Sequence, residues 1–157
     1  MKILKKVLVF LLVVFVIMQF FGPEKNEGDL TSIDAFFTET NPPENVKILL
    51  KETCFDCHSN STKYPWYNNI TPVNYWLAGH IDHGKEELNF SNWNTYSVKR
   101  KEHKMEEVWE EVKKKKMPLD SYTWTHADAN LTKEQIEVIV TWAKKTQQDY
   151  KAQLNAQ

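Results

Sequence analysis

The sequence predicts an all-α domain behind a single apolar N-terminal segment. Several stretches repeat apolar residues at helical spacing, and side chains typical of helix starts precede some of them. No stretch shows the sustained alternation of apolar and polar residues that is typical of a half-buried strand. An apolar run over residues 7–21 precedes the remainder, which is far more polar. These observations favour a small helical fold.

The N-terminus has the pattern of an export signal. Lys2, Lys5 and Lys6 precede the apolar run, which only Gln19 interrupts. The run ends without the small residues of a cleavage site, and no cysteine follows that could carry a lipid. We therefore favour an uncleaved signal-anchor over residues 1–22, with residues 3–21 in the membrane, over a cleaved signal peptide. The lysines would remain in the cytoplasm, so the domain would face the periplasm or exterior of a bacterial cytoplasmic membrane.

Residues 23–45 have the composition of a linker. Three of the six prolines lie there among acidic and polar residues, with one loosely docked turn expected over residues 33–37. The predicted domain spans residues 46–152, the size of one small domain. Without the three N-terminal lysines the chain keeps 17 basic and 21 acidic residues, so its charge gives no indication of nucleic-acid binding.

The first two helices of the domain are expected on either side of a polar loop. Residues 46–58 should form the first, because Val46, Leu49 and Leu50 follow helical spacing. A second helix should begin at Thr71-Pro72, with Thr71 as its cap and the proline at the first helical position, and should end near Gly84.

Two further helices complete the prediction. Ser97 can cap a helix that ends at Met117-Pro118. Thr132 and Gln135 form a capping box that opens the last helix. The expected core-facing residues are Val98, Met105, Val108, Trp109 and Val112 on the third helix, and Ile136, Ile139, Val140 and Ala143 on the last.

The chemistry of the chain is concentrated in Cys54-Phe55-Asp56-Cys57-His58, a C-x-x-C-H motif. Two thiols three residues apart lie on one face of a helical turn, within reach of the two vinyl groups of one porphyrin. His58 follows directly and can bind the iron as proximal ligand. The motif therefore indicates one covalently attached haem c.

Other uses of the two cysteines stay open at this point. A thioredoxin-like pair belongs near a βαβ pattern, which the sequence lacks. A zinc site would need more ligands, and His80 and His83 have a spacing that could complete a Cys2His2 set. A plain disulfide in an exported protein is the third alternative.

The order of motifs resembles the cytochrome c fold, and more closely the small haem-binding domain family of bacterial single-haem cytochromes. The resemblance covers roughly residues 46–146 and is carried by the following segments: Cys54–Asn60, Tyr64–Tyr67, Pro72–Leu77, Glu87–Ser91 with Trp93, and Met117–Leu119. It implies haem binding, without a settled physiological reaction. In a cytochrome c the first and last helices cross, and the haem lies in the apolar pocket that they help to form.

Met117 is the predicted sixth ligand of the iron. It occupies the position between the third and last helices where a cytochrome c places its methionine, and a thioether is a soft ligand suited to haem iron. The alternative is a methionine that fills a gap in the core, which is the role expected of Met105. His80, His83, His103 and His126 are rival ligands, and an open sixth position is a further possibility.

The remaining site predictions concern the surroundings of the haem. Trp66 and Tyr67 are expected to contact the porphyrin or its propionates. The resemblance to cytochrome c implies that a carbonyl near Pro65 accepts the other ring N–H of His58, because a ligating histidine usually donates that proton to a carbonyl. Lys113–Lys116 could dock an acidic redox partner, although cations after a helix C-terminus also complement its dipole.

These observations favour a membrane-anchored monohaem c-type cytochrome that carries single electrons rather than catalysing a reaction. An iron with protein ligands in both axial positions, here called closed, and a small domain are typical of an electron carrier. A peroxidase-like enzyme would need an open iron and a distal acid or base, such as His80 or His126. A gas sensor would need a displaceable Met117 and an output partner.

Overall fold

The computed structural model describes residues 2–156, except for the side chain of Leu30, and this part of the chain is helical. Eight α-helices lie within it: α1 (Lys2–Met18), α2 (Asp34–Thr40), α3 (Glu44–Thr53), α4 (Phe55–His58), α5 (Val73–Glu87), α6 (Val98–Lys113), α7 (Asp120–Thr123) and α8 (Lys133–Asn155). Short 3-10 turns cover Leu30–Ile33, Trp66–Asn69, Phe90–Thr95 and Ala127–Ala129. The described residues form no strand, only an isolated antiparallel bridge between Glu27 and Ser61. The predicted all-α class is confirmed.

Helices α6 and α8 begin where the sequence predicts. The Ser97 hydroxyl accepts a hydrogen bond from the Arg100 N–H, and Thr132 with Gln135 forms a reciprocal capping box. Helix α6 ends at Lys113, earlier than the predicted end at Met117-Pro118. Lys115 has a positive φ of 55°, which takes the chain out of the helical path two residues before Met117.

The prediction for α5 was wrong at both ends. The helix begins at Val73, and Thr71 is not its cap. The Thr71 hydroxyl instead donates to the Phe21 carbonyl and accepts from the Asn74 amide, so a tertiary contact uses the group that could have capped the helix. The helix also continues through Gly84 to Glu87, because Gly84 keeps helical geometry where α5 passes closest to α4.

The expected first helix is divided in two. Helix α3 ends at Thr53, and α4 starts at Phe55 as a single turn. Cys54 joins them with φ of −121°, outside the helical range, so the helical path is interrupted at the first cysteine of the C-x-x-C-H motif.

The long pair α6 and α8 provides much of the core. Met105 and Ala143 are fully buried, as predicted for core-facing positions. Val112 and Ile139 belong with Leu49 to a second buried cluster. The other predicted core positions are partly buried against these two clusters: Val98, Val108, Trp109, Ile136 and Val140.

Helix α2 belongs to the core, and the expectation of a loosely docked turn at residues 33–37 was wrong. Phe36 is fully buried, with its ring centroid 4.6 Å from that of Phe90 and 5.0 Å from that of Trp93. The Glu39 carboxylate accepts hydrogen bonds from Lys101 and from the Tyr150 hydroxyl. A pair of aromatic residues in a short polar segment gives no periodicity from which this packing could be foreseen.

The segment that follows α1 is also held against the domain by hydrogen bonds. The Gln19 side chain donates to the Thr71 carbonyl and accepts from the Thr71 N–H, both at 3.0 Å. The Asn26 amide donates to the Ser59 carbonyl at 2.9 Å and accepts from Lys85 at 2.7 Å. The boundaries predicted for the N-terminal segment, the linker and the domain stay a prediction.

Helix α1 is exposed along its whole described length, and all of its residues after Lys6 are apolar. Among residues 2–156, no helix combines the length and the hydropathy needed to cross a membrane.

Candidate haem site

The turn α4 brings together the three residues on which the predicted site depends. The His58 N–H donates to the Cys54 carbonyl at 2.9 Å, which closes one helical turn around Cys57. Both cysteines are free thiols. Burial raises the pKa of Cys54 to about 11 and that of Cys57 to about 12, so both thiols are protonated at neutral pH.

The imidazole of His58 is fixed by one hydrogen bond. Its Nδ1–H donates to the Leu88 carbonyl at 2.9 Å, so Nε2 has no proton and keeps a free lone pair. Burial lowers the pKa of His58, which favours the neutral ring that a metal requires. This is the arrangement of a metal-ligating histidine with its outer hydrogen bond in place.

The carbonyl predicted for this hydrogen bond was the wrong one. The Pro65 carbonyl accepts from the Asn68 N–H at 3.0 Å and belongs to a 3-10 turn. Leu88 takes the role because it is the first residue after α5, and α5 packs against α4. This arrangement depends on how two separate helices meet, which the resemblance to cytochrome c did not specify.

Gly84 allows α5 to pass close to the turn α4, which is called the attachment turn below because its motif predicts covalent haem there. A Cβ atom at this position would lie 2.7 Å from the Cys57 carbonyl oxygen and 3.1 Å from the Cys57 Cβ. Both distances are too short for an ordinary contact, and a backbone oxygen cannot move aside as a flexible side chain can. Sequence reasoning missed this role, although a glycine inside a helical pattern was a signal for a close approach.

The two residues between the cysteines hold the turn from its other sides. Phe55 is buried, with its ring centroid 5.4 Å from that of Phe90 and 5.7 Å from that of Phe37. The Asp56 carboxylate accepts hydrogen bonds from the Tyr122 hydroxyl at 2.7 Å and from the Lys63 N–H at 2.9 Å. Tyr122 was not predicted as a site residue, and no local pattern distinguishes it from the other tyrosines.

Two of the segments that carried the resemblance meet beside His58. The Asn89 amide donates to the Asn60 side-chain oxygen at 2.8 Å, and the Asn60 N–H donates to the Ser91 hydroxyl at 3.0 Å. These bonds join the residues after His58 to those after Leu88. They therefore help to place the Leu88 carbonyl opposite the histidine ring.

Met117 lies in the loop after α6 and is partly buried. It packs against the cluster of Leu49, Val112 and Ile139, which joins α3, α6 and α8. On its other side it lines a cavity of about 670 Å³ together with His80 and Trp124. The remaining lining residues are Glu111, Lys115, Lys116, Leu119, Asp120 and Ser121.

The other predicted pocket residues lie elsewhere. Trp66 is 76% exposed, and the Tyr67 hydroxyl hydrogen-bonds to the Thr125 hydroxyl at 2.9 Å. Neither of these described residues lines the cavity beside Met117. Their contact with a porphyrin stays a prediction.

The histidines other than His58 differ in their surroundings. His103 is exposed and lies 3.1 Å from the Glu107 carboxylate, and His126 stacks on Tyr122 with 4.0 Å between ring centroids. His83 is exposed.

Among residues 2–156, no three His, Cys, Asp or Glu side chains are close enough to hold a metal ion, so the described part of the chain does not form the Cys2His2 zinc site considered above.

The comparison with protein families agrees with this geometry. The pattern of a family described as a haem-binding domain matches residues 13–145. The chain belongs to the haem-binding domain family. The match runs from within α1 to within α8 and so includes the attachment turn, the Leu88 carbonyl and Met117. No curated protein and no solved structure matched the chain.

The residues of this haem-binding protein fit the group that the family name implies. Cys54 and Cys57 offer two thiols on one turn, and the Nδ1 hydrogen bond of His58 leaves Nε2 free to bind iron. Met117 adds a soft sulfur beside a cavity.

The contact at Gly84 gives a test of this geometry. We expect Gly84→Ala to push α5 away from Cys57 and to destabilise the protein by about 1–3 kcal/mol, with less haem retained per chain. Gly79→Ala is the matched control on the same helix, because a Cβ there meets no atom within 4 Å. It should be neutral or stabilising by up to about 1 kcal/mol.

Thermal unfolding followed by circular dichroism and the haem content of the purified protein would measure both effects. Equal melting temperatures and equal haem content in the two alanine variants would contradict the role given to Gly84.

Proposed function

We propose that this haem-binding protein is a membrane-attached monohaem c-type cytochrome that transfers single electrons outside the cytoplasmic membrane. The observation that carries the proposal is the attachment turn, in which the Leu88 carbonyl fixes His58 beside two free thiols. Cys54 and Cys57 would hold the porphyrin by thioether bonds, and His58 would bind the iron through Nε2. A haem bound in this way supplies an iron that gains and loses one electron.

Covalent attachment is the first consequence of the proposal. After export in a host that attaches c-type haem, we expect the denatured protein to keep haem-dependent peroxidase staining on a gel. The double variant Cys54→Ala/Cys57→Ala should lose this staining, because no thioether can form. His83→Ala removes an exposed histidine outside the motif and should stain like the wild type.

A colourless wild-type protein that retains zinc would end the haem assignment. Staining that survives in the double cysteine variant would contradict covalent attachment of the haem through Cys54 and Cys57.

Met117 is proposed as the sixth ligand. It is only partly covered by the cluster of Leu49, Val112 and Ile139, and the rest of its side chain faces the cavity that it shares with His80. Met105, the methionine expected in the core, is by contrast fully buried and is therefore not available to an iron. Ligation by His58 and Met117 would close the iron and raise its reduction potential relative to harder ligand pairs, which suits a carrier more than an enzyme.

Replacing each methionine separately distinguishes the iron ligand from the core residue. Met117→Ala should abolish the weak far-red charge-transfer band of methionine-ligated ferric haem and lower the reduction potential. Met105→Ala should keep the band and cost about 2–5 kcal/mol of stability, because it leaves a cavity in the core. Optical spectra and redox titration of the purified proteins measure the first effect, and chemical denaturation measures the second.

A wild-type protein that lacks the band and binds carbon monoxide at once would favour a peroxidase-like enzyme or a gas sensor over a carrier.

Membrane attachment through the N-terminal segment completes the proposal. The apolar side chains of α1 support this attachment, because no other part of the described chain buries them. Phe20 and Phe21, which follow the helix, are exposed in the same way. The lysines at the start favour a cytoplasmic N-terminus, with the haem domain in the periplasm or exterior. The bonds between Gln19 and Thr71 would hold the domain at a fixed distance from this segment.

For this part we expect the mature protein to keep its N-terminus and to remain with the membrane fraction at high salt. The apolar helix is held by hydrophobic burial, which salt does not weaken. N-terminal sequencing and fractionation of cells that produce the intact chain give the measurement. A mature form that begins between Phe21 and Asp34 and is found in the soluble periplasmic fraction would contradict the attachment.

Lys113–Lys116 are proposed as the docking surface for an acidic redox partner. All four are exposed, and Lys115 and Lys116 border the cavity of Met117. Lys114 and Lys116 pair with Glu110 and Glu111, which reduces the net positive charge of the run. The same lysines lie at the C-terminus of α6 and directly after it, where cations also interact favourably with the helix dipole.

A further inference from the structure

His80 and Met117 share one cavity. It lies between α5 and the loop after α6, has a volume of about 670 Å³ and is lined by both side chains. A nitrogen ligand and a sulfur ligand for haem iron thus border the same space, although they are far apart in the sequence.

The imidazole of His80 is arranged like that of His58. Its Nδ1–H donates to the Trp76 carbonyl at 2.9 Å, just as His58 donates to the Leu88 carbonyl at 2.9 Å. In the neutral form of each ring this bond places the proton on Nδ1 and leaves the lone pair of Nε2 free. The His80 ring also packs on Trp76, with 4.4 Å between ring centroids, which limits the orientations that it can take.

None of the other histidines in the described chain lines the cavity of Met117, although His126 directs Nδ1 to a carbonyl in the same way. His126 lines a different cavity, and its Nδ1 is directed to the Tyr122 carbonyl at 3.0 Å. His103 lies between the carboxylates of Glu106 and Glu107 on the surface of α6. His83 is on α5 but does not line the cavity that His80 borders within the described chain.

We propose that His80 is an alternative sixth ligand, which binds the iron through Nε2 whenever the Met117 sulfur is not bound to it. This inference rests on the proposed assignment of Met117. In the exchange one iron–sulfur bond breaks and one iron–nitrogen bond forms, the neutral imidazole supplies the lone pair of Nε2, and no electron is transferred. Histidine in place of methionine lowers the reduction potential, so the exchange changes the driving force for electron transfer while the iron stays closed.

The proposal explains what a polar ring does beside the methionine. A histidine that lines the cavity of Met117 would keep small molecules from an iron that has lost its sulfur ligand. A carrier benefits from this protection, because an open ferrous iron binds carbon monoxide or reacts with oxygen species.

The test uses the haem-loaded full-length protein in detergent and compares wild type, Met117→Ala, His80→Ala and the double variant. Met117→Ala should lose the far-red band and keep the low-spin spectrum of an iron with two nitrogen ligands, with little binding of carbon monoxide. Only the double variant should become high-spin and bind carbon monoxide readily. His80→Ala alone should keep the far-red band.

Two further variants act as controls. In the Met117→Ala background, His83→Ala removes the neighbouring histidine one turn along the same helix and should leave the iron closed. If the double alanine variant fails to fold, Met117→Ala/His80→Gln takes its place. The glutamine keeps a polar side chain at position 80, and this variant should also open the iron. Circular dichroism and haem content establish that each protein is folded and loaded.

A high-spin Met117→Ala protein that binds carbon monoxide as readily as the double variant would overturn the role of His80. A different result would instead count against the proposed function. If the wild type lacks the far-red band and His80→Ala alone opens the iron, then His80 is the resting ligand and the assignment of Met117 fails.

Discussion

The close approach of α5 to the attachment turn is the constraint on which the site depends. Gly84 lets the backbone of α5 lie against the Cys57 carbonyl, and α5 then ends where Leu88 presents its own carbonyl to His58. A helix displaced by one side chain would move that carbonyl out of hydrogen-bonding range. The orientation of the His58 ring is thus set by a packing contact at Gly84, one helical turn before Leu88, which accepts its hydrogen bond.

The attachment turn is also supported from the side that faces away from α5. Phe55 lies in the aromatic core with Phe90, and Phe90 packs on Phe36 of α2. Asp56 is held by the Tyr122 hydroxyl, which connects the turn to α7. The two variable positions of the C-x-x-C-H motif therefore tie the site to the core and to the loop that follows Met117. The segment that holds Phe36 has the composition of a linker, and it is coupled in this way to the turn that carries the C-x-x-C-H motif.

The parts of this structure that sequence reasoning predicted are those that local interactions determine. Ser97 and Thr132 cap their helices through bonds to residues three positions away, and Met105 follows the apolar spacing of its own helix. The errors share a different cause. The burial of Phe36 and the bond from His58 to Leu88 arise from contacts between elements far apart in the chain, and no local pattern specifies such partners.

Burial prepares the thiols and the imidazole of the site in opposite ways. It lowers the pKa of His58, so the ring is neutral and can bind a metal, and it raises the pKa of Cys54 and Cys57, so both sulfurs keep their protons. A protonated thiol is a poor nucleophile, and the folded turn therefore resists oxidation to a disulfide. A thioether has no ionisable proton. The burial that disfavours a thiolate would consequently not oppose a thioether bond between either sulfur and a porphyrin.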